Sequence, residues 1–494
     1  MMPKKNVVVI GAGFAGLSTA THLAHNGYQV TLLEKNDTPG GRARKFEAEG
    51  FVFDMGPSWY WMPDVFDNYF GHFGKKPSDY YNLLRLDPSY TVVFGENKFI
   101  PIPADLQKFR GLLESMEPGV GPKFDEFMDQ AAYKYKVGIQ DLVYRPSRSL
   151  FEFTSPGLLV DIIRMDVFQS MAKHVRKFFK NEEIIRLMEF PVIFLGETAE
   201  NIPALYSLMN YADIKLGTWY PMGGMHEIIK GMVTLAEEKG VKIHLGADVS
   251  HINVKNGIAT DVVLKSGEKF DADVVVAGAD YHHVDSKLLA PEFRNYDEKY
   301  WDKRVMAPSS LLFYLGIDKK LDNLTHHMLF FDEQMGPHAD AIYTNPRWPE
   351  RPLFYLSAAS KTDPSVAPEG KENLVILIPL APDLNDEEDI REKYFNIVMD
   401  RLEKLTGQEI RSHIVYKRSY AHSDFKKDYN AFKGNAYGLA NTLFQTAILK
   451  PSLKNKKVRN LYYTGQLTVP GPGVPPTLIS GHVVSKEVMK ENKL

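Results

Sequence analysis

The stretch VVVIGAGFAGLSTATHLAHNGYQVTLLE, residues 7–34, constrains this chain more than any other. An apolar strand at 6–10 runs into three glycines, then a helix over 14–26 and a second strand over 28–34. An unbroken apolar strand is buried on both faces and belongs inside a parallel sheet. Gly11-x-Gly13-x-x-Gly16 stands at the strand-to-helix turn. Gly11 makes the turn, Gly13 lets the backbone approach a pyrophosphate, and Gly16 permits close helix–strand packing. The helix start supplies N–H donors and a favourable field for the anion. Glu34 closes the second strand at the spacing where a carboxylate bonds a ribose hydroxyl, and an acid there argues against a 2′-phosphate.

Six residues beyond Glu34 stand Gly40-Gly41-Arg42, followed by Arg44. A second glycine pair and two arginines there can close over the same pyrophosphate from its other side, a use that an NAD domain lacks. Asp54-Met55-Gly56-Pro57-Ser58 brings another tight turn back toward the site. At the far end, Gly465 ends a strand and PGPGVPP leads into the last helix. A helix start there stabilises negative charge on a reduced flavin ring. Glycine-rich segments at both ends of the chain favour a flavin dinucleotide lying extended between them.

Composition narrows the partners. Lys+Arg 59 against Asp+Glu 62 gives a net charge of -3, so no basic excess calls for nucleic acid. With no cysteine, thiolate chemistry, disulfides and Cys-ligated metals are excluded. No signal-peptide pattern precedes the first strand and no apolar run of ~18 residues exists, so the expected location is cytoplasmic. The sequon at Asn323-Leu324-Thr325 is read as chance. Residues 241–279 read as hairpins turning at Asn256-Gly257 and Ser266-Gly267. Residues 76–219 show helical spacing, whereas 291–450 mix strands such as SSLLFYLGI and NLVILIPLA with a helix near 389–405.

The blocks GAGFAGLSTATHLAHNGYQVTLLEKNDTPGGRARKF, DMGPSW, WYPMGGM, NLTHHMLFF, APEG, DFKKDYNAFKGNAY and NLYYTGQLTVPGPGVPP follow in this order. Together they resemble the bacterial-type phytoene desaturases and related carotenoid desaturases of the flavin amine-oxidase superfamily. The resemblance covers nearly the whole chain. It departs at Gln466 and Pro476, where the family commonly has small residues or glycine. The fold class it implies is α/β: a Rossmann-like FAD-binding domain of discontinuous segments (1–75, 220–290 and 455–494). A helical membrane-facing region (76–219) and an α+β substrate domain (291–454) are inserted.

Carried over, the resemblance implies that Gly11, Gly13, Phe14, Ala15 and Gly16 touch FAD, with Glu34 and Lys35 at its ribose. Gly41, Arg42 and Arg44 then lie along the pyrophosphate and flavin, and Gly56, Pro57 and Ser58 border the isoalloxazine. Val249 pairs with adenine through its backbone, while Gly465, Gln466, Gly473 and Val474 lie under the ring. The implied activity is desaturation of an apolar C40 carotenoid by hydride transfer to the flavin, with oxygen or a quinone taking the electrons. Phytoene is the first choice. Alternatives are hydroxylated or γ-type late carotenoids (3,4-desaturation), a carotenoid isomerase, an amine oxidase and a non-catalytic isoprenoid-binding chaperone. No residue is singled out as the acid or base.

Other features have two readings. His282-His283 and His326-His327 invite a metal, but neighbours on a strand point to opposite faces, so no metal site is expected. Trp219-Tyr220 either line the cavity or pack a core between domains. Residues 157–180 carry Leu158, Ile162, Met165, Phe168, Met171, Val175 and Phe179 at helical spacing, with Arg164, Lys173, Arg176, Lys177 and Lys180 supplying charge. Such a helix suits an anionic membrane surface, and a lipid-dissolved substrate favours peripheral membrane contact.

Overall fold

The computed structural model describes residues 4–149, 152 and 164–494. Five parallel strands form one sheet in the order Leu461–Tyr463, Val274–Ala277, Asn6–Ile10, Gln29–Leu33 and Lys242–His244. Asn6–Ile10 is the central strand, and Val7, Val8 and Val9 are buried, as an apolar run requires. Three separated stretches of sequence build this sheet, so the two ends of the chain meet. The final helix, Val474–Glu491, packs along the first, Phe14–His25. Gly481 permits the approach, because a Cβ there would lie 2.4 Å from the Ala15 carbonyl oxygen. Ser18 ties the pair by donating to Leu478 O at 2.8 Å.

A second sheet has seven strands. Its order is Ile414–Tyr420, Ser309–Ile317, Glu372–Leu380, Phe354–Ser357, His327–Phe330, Tyr90–Gly95 and Lys98–Ile102. Neighbours are antiparallel except His327–Phe330 with Tyr90–Gly95, which is parallel. Side chains alternate along each strand. Leu311, Phe313 and Leu315 face the helix Glu388–Thr406, with Phe313 and Phe395 rings 5.3 Å apart. Leu312 points the other way.

The hairpins expected in 241–279 are present as Val249–Lys255, Ile258–Leu264 and Lys269–Asp271. Asn256 and Gly257 sit at φ 52 and 70, the left-handed pair that a two-residue hairpin turn needs.

Two expectations need correction. The region 76–219 is not wholly helical: Tyr90–Gly95 and Lys98–Ile102 form a hairpin at the edge of the seven-stranded sheet. The β-branched run Thr91-Val92-Val93 outweighs the helical spacing around it. The amphipathic stretch 157–180 is not one helix. Residues 157–163, with Leu158 and Ile162, lie outside the described residues. In the rest, the chain turns at Asp166 (φ 53) before a helix at Met171–Phe178 capped by Ser170. Met165, Met171, Val175 and Phe179 are buried in the core, so this apolar face is not offered to a membrane.

Candidate active site

The glycine turn is held from below. Gly11 has φ +98, and a side chain there would press against the Gly278–Ala279 backbone. The buried Glu34 carboxylate accepts from Ala12 N at 2.8 Å and from Asn36 N and Nδ2, both at 2.9 Å. Glu34 thus braces the glycine loop as well as facing the cavity. The helix Phe14–His25 starts at Gly13 with no side-chain cap and no acid in its first turn, which leaves N–H donors for an anion.

The second glycine pair folds onto the first. Gly40 N donates to Ala12 O at 2.8 Å, and a Cβ on Gly41 would lie 3.3 Å from Gly13 Cα. Arg42 is half-buried, donates through Nη2 to Asn435 O at 3.1 Å, and has no partner at Nε. Its guanidinium lies 5.2 Å from the Tyr429 ring. Gly56 abuts this turn, since a Cβ there would lie 2.5 Å from Arg42 O. Asp54 joins two of the sequence blocks: its carboxylate caps the helix His226–Glu238, accepting from Met225 N at 2.7 Å and His226 N at 3.0 Å. Burial raises it to about 6, against the pull of those two amides.

The C-terminal segment closes the other side. Gly465 (φ +112) donates its N–H to Ser480 Oγ at 3.0 Å, and Gln466 Nε2 donates to Asn435 Oδ1 at 2.9 Å. Gly473 (φ +104) is the cap of the final helix, so a second helix start opens on the same space. Prolines in the first turn of that helix lack N–H groups, so only part of its donor set is free.

These segments share one cavity of about 750 Å³. Every residue implied by the resemblance lines it except two. Gly16 lies behind, against Gly11, and Arg44 is turned to Asp428 in a 2.7 Å ion pair. Arg44 therefore holds the Asp428–Tyr429 segment rather than facing the cavity. Beyond the glycines the walls become apolar. One cross-strand row of the seven-stranded sheet, Leu312, Leu377, Tyr355 and Leu329, lines the cavity, and Trp59, Trp61 and Phe190 face it. The cavity is thus a polar cradle with two helix starts at one end and an aliphatic–aromatic chamber at the other. That arrangement fits an extended dinucleotide whose reactive end meets an apolar molecule.

The sequence reading missed several lining groups. Asp280, Asp428, Tyr429 and Tyr355 all line the cavity. Asp428 and Tyr429 stand in a quoted block, DFKKDYNAFKGNAY, so a signal existed; Tyr355 lies in none. Of the two readings of Trp219-Tyr220, core packing holds: both lie outside this cavity, and Tyr220 packs edge-on to His326 at 4.5 Å. Neither histidine pair lies wholly on a strand. His282 and His283 lie in a helical turn, and His326 precedes its strand, its ring 4.4 Å from that of His327. Their bonds are to protein: His282 to Glu298 at 2.9 Å, His326 to Thr362 at 2.8 Å and His327 to Tyr355 at 2.6 Å. Among the described residues, no three His, Asp or Glu side chains cluster as a metal site.

The chain is 40% identical over 489 residues to the carotenoid 3,4-desaturase of Haloarcula japonica, covering 99% of this chain and 98% of that protein. It is 34% identical to the zeta-carotene-forming phytoene desaturase of Myxococcus xanthus, covering 98% and 94%. The structure of an oxidoreductase from Methanosarcina mazei superposes with a TM-score of 0.62 over 97% of this chain and 100% of that one; at 18% identity it speaks for the fold alone. The family model for flavin containing amine oxidoreductases matches residues 14–489. The chain belongs to that family: it is a flavin-dependent oxidoreductase, and its cofactor is FAD.

Proposed function

We propose that the protein is a carotenoid desaturase. The observation that carries this is the single cavity running from the glycine cradle to a chamber walled by Leu312, Leu329, Leu377, Trp59 and Tyr355. A polyene has no polar handle, so burial in such a chamber is the means of binding it. Bound FAD supplies the two-electron oxidation. In this reading Gly11, Gly13, Phe14, Ala15 and Gly41 receive its pyrophosphate, Glu34 and Lys35 its ribose, and Val249 its adenine. Gly56, Pro57, Ser58, Gly465, Gln466, Gly473 and Val474 border the ring, and Arg42 offers its unpartnered Nε toward the phosphates or ring. Gly16 contributes by packing. The chamber aligns one C–C bond of the polyene with the ring and excludes water.

From the sequence, phytoene is the first choice. The higher identity to a 3,4-desaturase, 40% against 34% at near-complete coverage of both, favours the alternative of a hydroxylated or γ-type late carotenoid. Phytoene is the second reading, carried by the Myxococcus relative. Expression in hosts that accumulate either compound separates them. New conjugated double bonds in the late carotenoid, with phytoene unchanged, are expected by chromatography. Conversion of phytoene alone would reverse the order. Isomerised products without added double bonds would replace desaturase by isomerase.

Such a substrate has to be collected from lipid, and peripheral membrane contact belongs to the same proposal. Two large side chains stand in solvent, Phe168 at 82% and Phe444 at 79% exposure. The first turn leans on the 203–206 segment, through Ala204 N to Gln169 O at 2.7 Å. Lys173 and Lys177 are exposed beside the first turn. Burying two phenylalanines in an acyl layer is worth about 1.5–3 kcal/mol each. The double variant F168S/F444S should lose flotation with anionic vesicles and keep its flavin. Undiminished flotation would place the contact elsewhere.

A further inference from the structure

We propose that Tyr355, backed by His327, receives the proton that the substrate loses when its double bond forms; this rests on the desaturase reading. Tyr355 sits in the strand Phe354–Ser357 and lines the apolar end of the cavity beside Ser58 and Trp59. His327 lies on the neighbouring strand, two residues from Leu329, which is paired with Tyr355. The period-2 alternation puts both rings on the cavity face of the sheet. The phenol oxygen and imidazole Nδ1 are 2.6 Å apart.

The relay requires the phenol to donate its hydrogen to Nδ1. With Nδ1 accepting, the imidazole hydrogen sits on Nε2, which is buried and has no partner. A buried donor kept without an acceptor calls for a reason other than stability. Trp59 lies flat on the imidazole, with centroids 4.4 Å apart and planes 11° apart, and fixes the ring's orientation. Burial holds His327 well below its ordinary range, so the ring rests neutral.

The atoms and electrons balance. With FAD bound, the cofactor would supply the two-electron oxidation of one substrate C–H bond, which leaves an allylic cation on the substrate. The C–H bond on the adjacent carbon then breaks, and its pair becomes the new C=C π bond. That proton passes to Tyr355 Oη as Oη gives its own hydrogen to His327 Nδ1. A carbocation is a far stronger acid than an imidazolium, so the transfer is downhill even in an apolar site. The proton leaves by the same path in reverse when product departs and water enters.

Three variants and a spectroscopic measurement test this. Tyr355→Phe removes the relay oxygen, and His327→Gln keeps an acceptor for the phenol but holds no proton. Each should lower kcat by about 100-fold or more, the scale of general acid–base catalysis, with KM and flavin content within twofold of the parent. His327→Ala should regain turnover with added imidazoles in proportion to their basicity. In flavin-free protein, nitrogen NMR should show Nδ1 of His327 unprotonated and hydrogen-bonded. A Tyr355→Phe enzyme within threefold of the parent kcat, or a protonated Nδ1, overturns the relay. Wild-type protein run alongside separates the two ideas: if it converts no carotenoid, the desaturase reading falls, and the NMR result still reads the relay geometry.

Discussion

Replacing Gly16 with alanine should remove most of the folded protein. A Cβ at this position would lie 1.9 Å from the Gly11 carbonyl oxygen and 3.1 Å from its carbon, both backbone atoms of the turn below. No side-chain rotation relieves that overlap, so the helix Phe14–His25 has to lift off the sheet. Lifting it also disturbs the final helix, which reaches the same surface through Ser18 and Leu478. Overpacking of flexible cores already costs about 1–3 kcal/mol, and a clash with fixed backbone exceeds that range. Against a total stability of about 5–15 kcal/mol, the loss is large. Soluble yield and the thermal midpoint, each compared with the parent in flavin-free form, read the effect. An alanine variant that melts with the parent would show that Gly16 is not a packing residue.

Valine at Gly13, three residues earlier, should behave in the opposite way: folded and colourless. Gly13 has φ -79 and ψ -179, an extended conformation that a β-branched residue adopts readily. The nearest atom to a Cβ there is Gly41 Cα at 4.0 Å, so the protein itself has room. That room is the gap between the two glycine loops, where the pyrophosphate is proposed to pass. Branched methyls would fill it and hold the anion away from the N–H groups of the helix start. Circular dichroism and thermal melting should match the flavin-free parent, while the purified protein carries no flavin absorbance and regains none with added FAD. A G13V protein with a full complement of flavin would move the pyrophosphate elsewhere. One that fails to fold would assign Gly13 to packing, as for Gly16.

The two glycines mark how far the sequence could be read. Strand, turn, helix and acid were all legible in residues 6–34, because each depends on neighbours within one turn or one strand. The hairpin at Asn256-Gly257 was legible for the same reason. Periodicity was a weaker guide in the stretch around Met171. It identified an apolar face, but a face seeking burial reads the same whether a core or a membrane covers it, and the core covers this one. The basic residues did not decide the matter: Arg176 is paired with Glu189, and Lys177 with Gln169.

What the sequence determined by itself is a flavin-type nucleotide cradle and a family resemblance that the comparisons bear out. The tertiary structure decided the other end of the cavity. Leu312, Leu329, Tyr355 and Leu377 form one row across four strands, yet no local spacing relates residues brought together by strand pairing over 65 positions of chain between Leu312 and Leu377. The same pairing puts Tyr355 beside His327, and a loop from near the N-terminus lays Trp59 over that histidine. Glycines announce themselves because backbone geometry is a local demand. A catalytic pair across a sheet does not, because its proximity is created by register, which the whole fold sets.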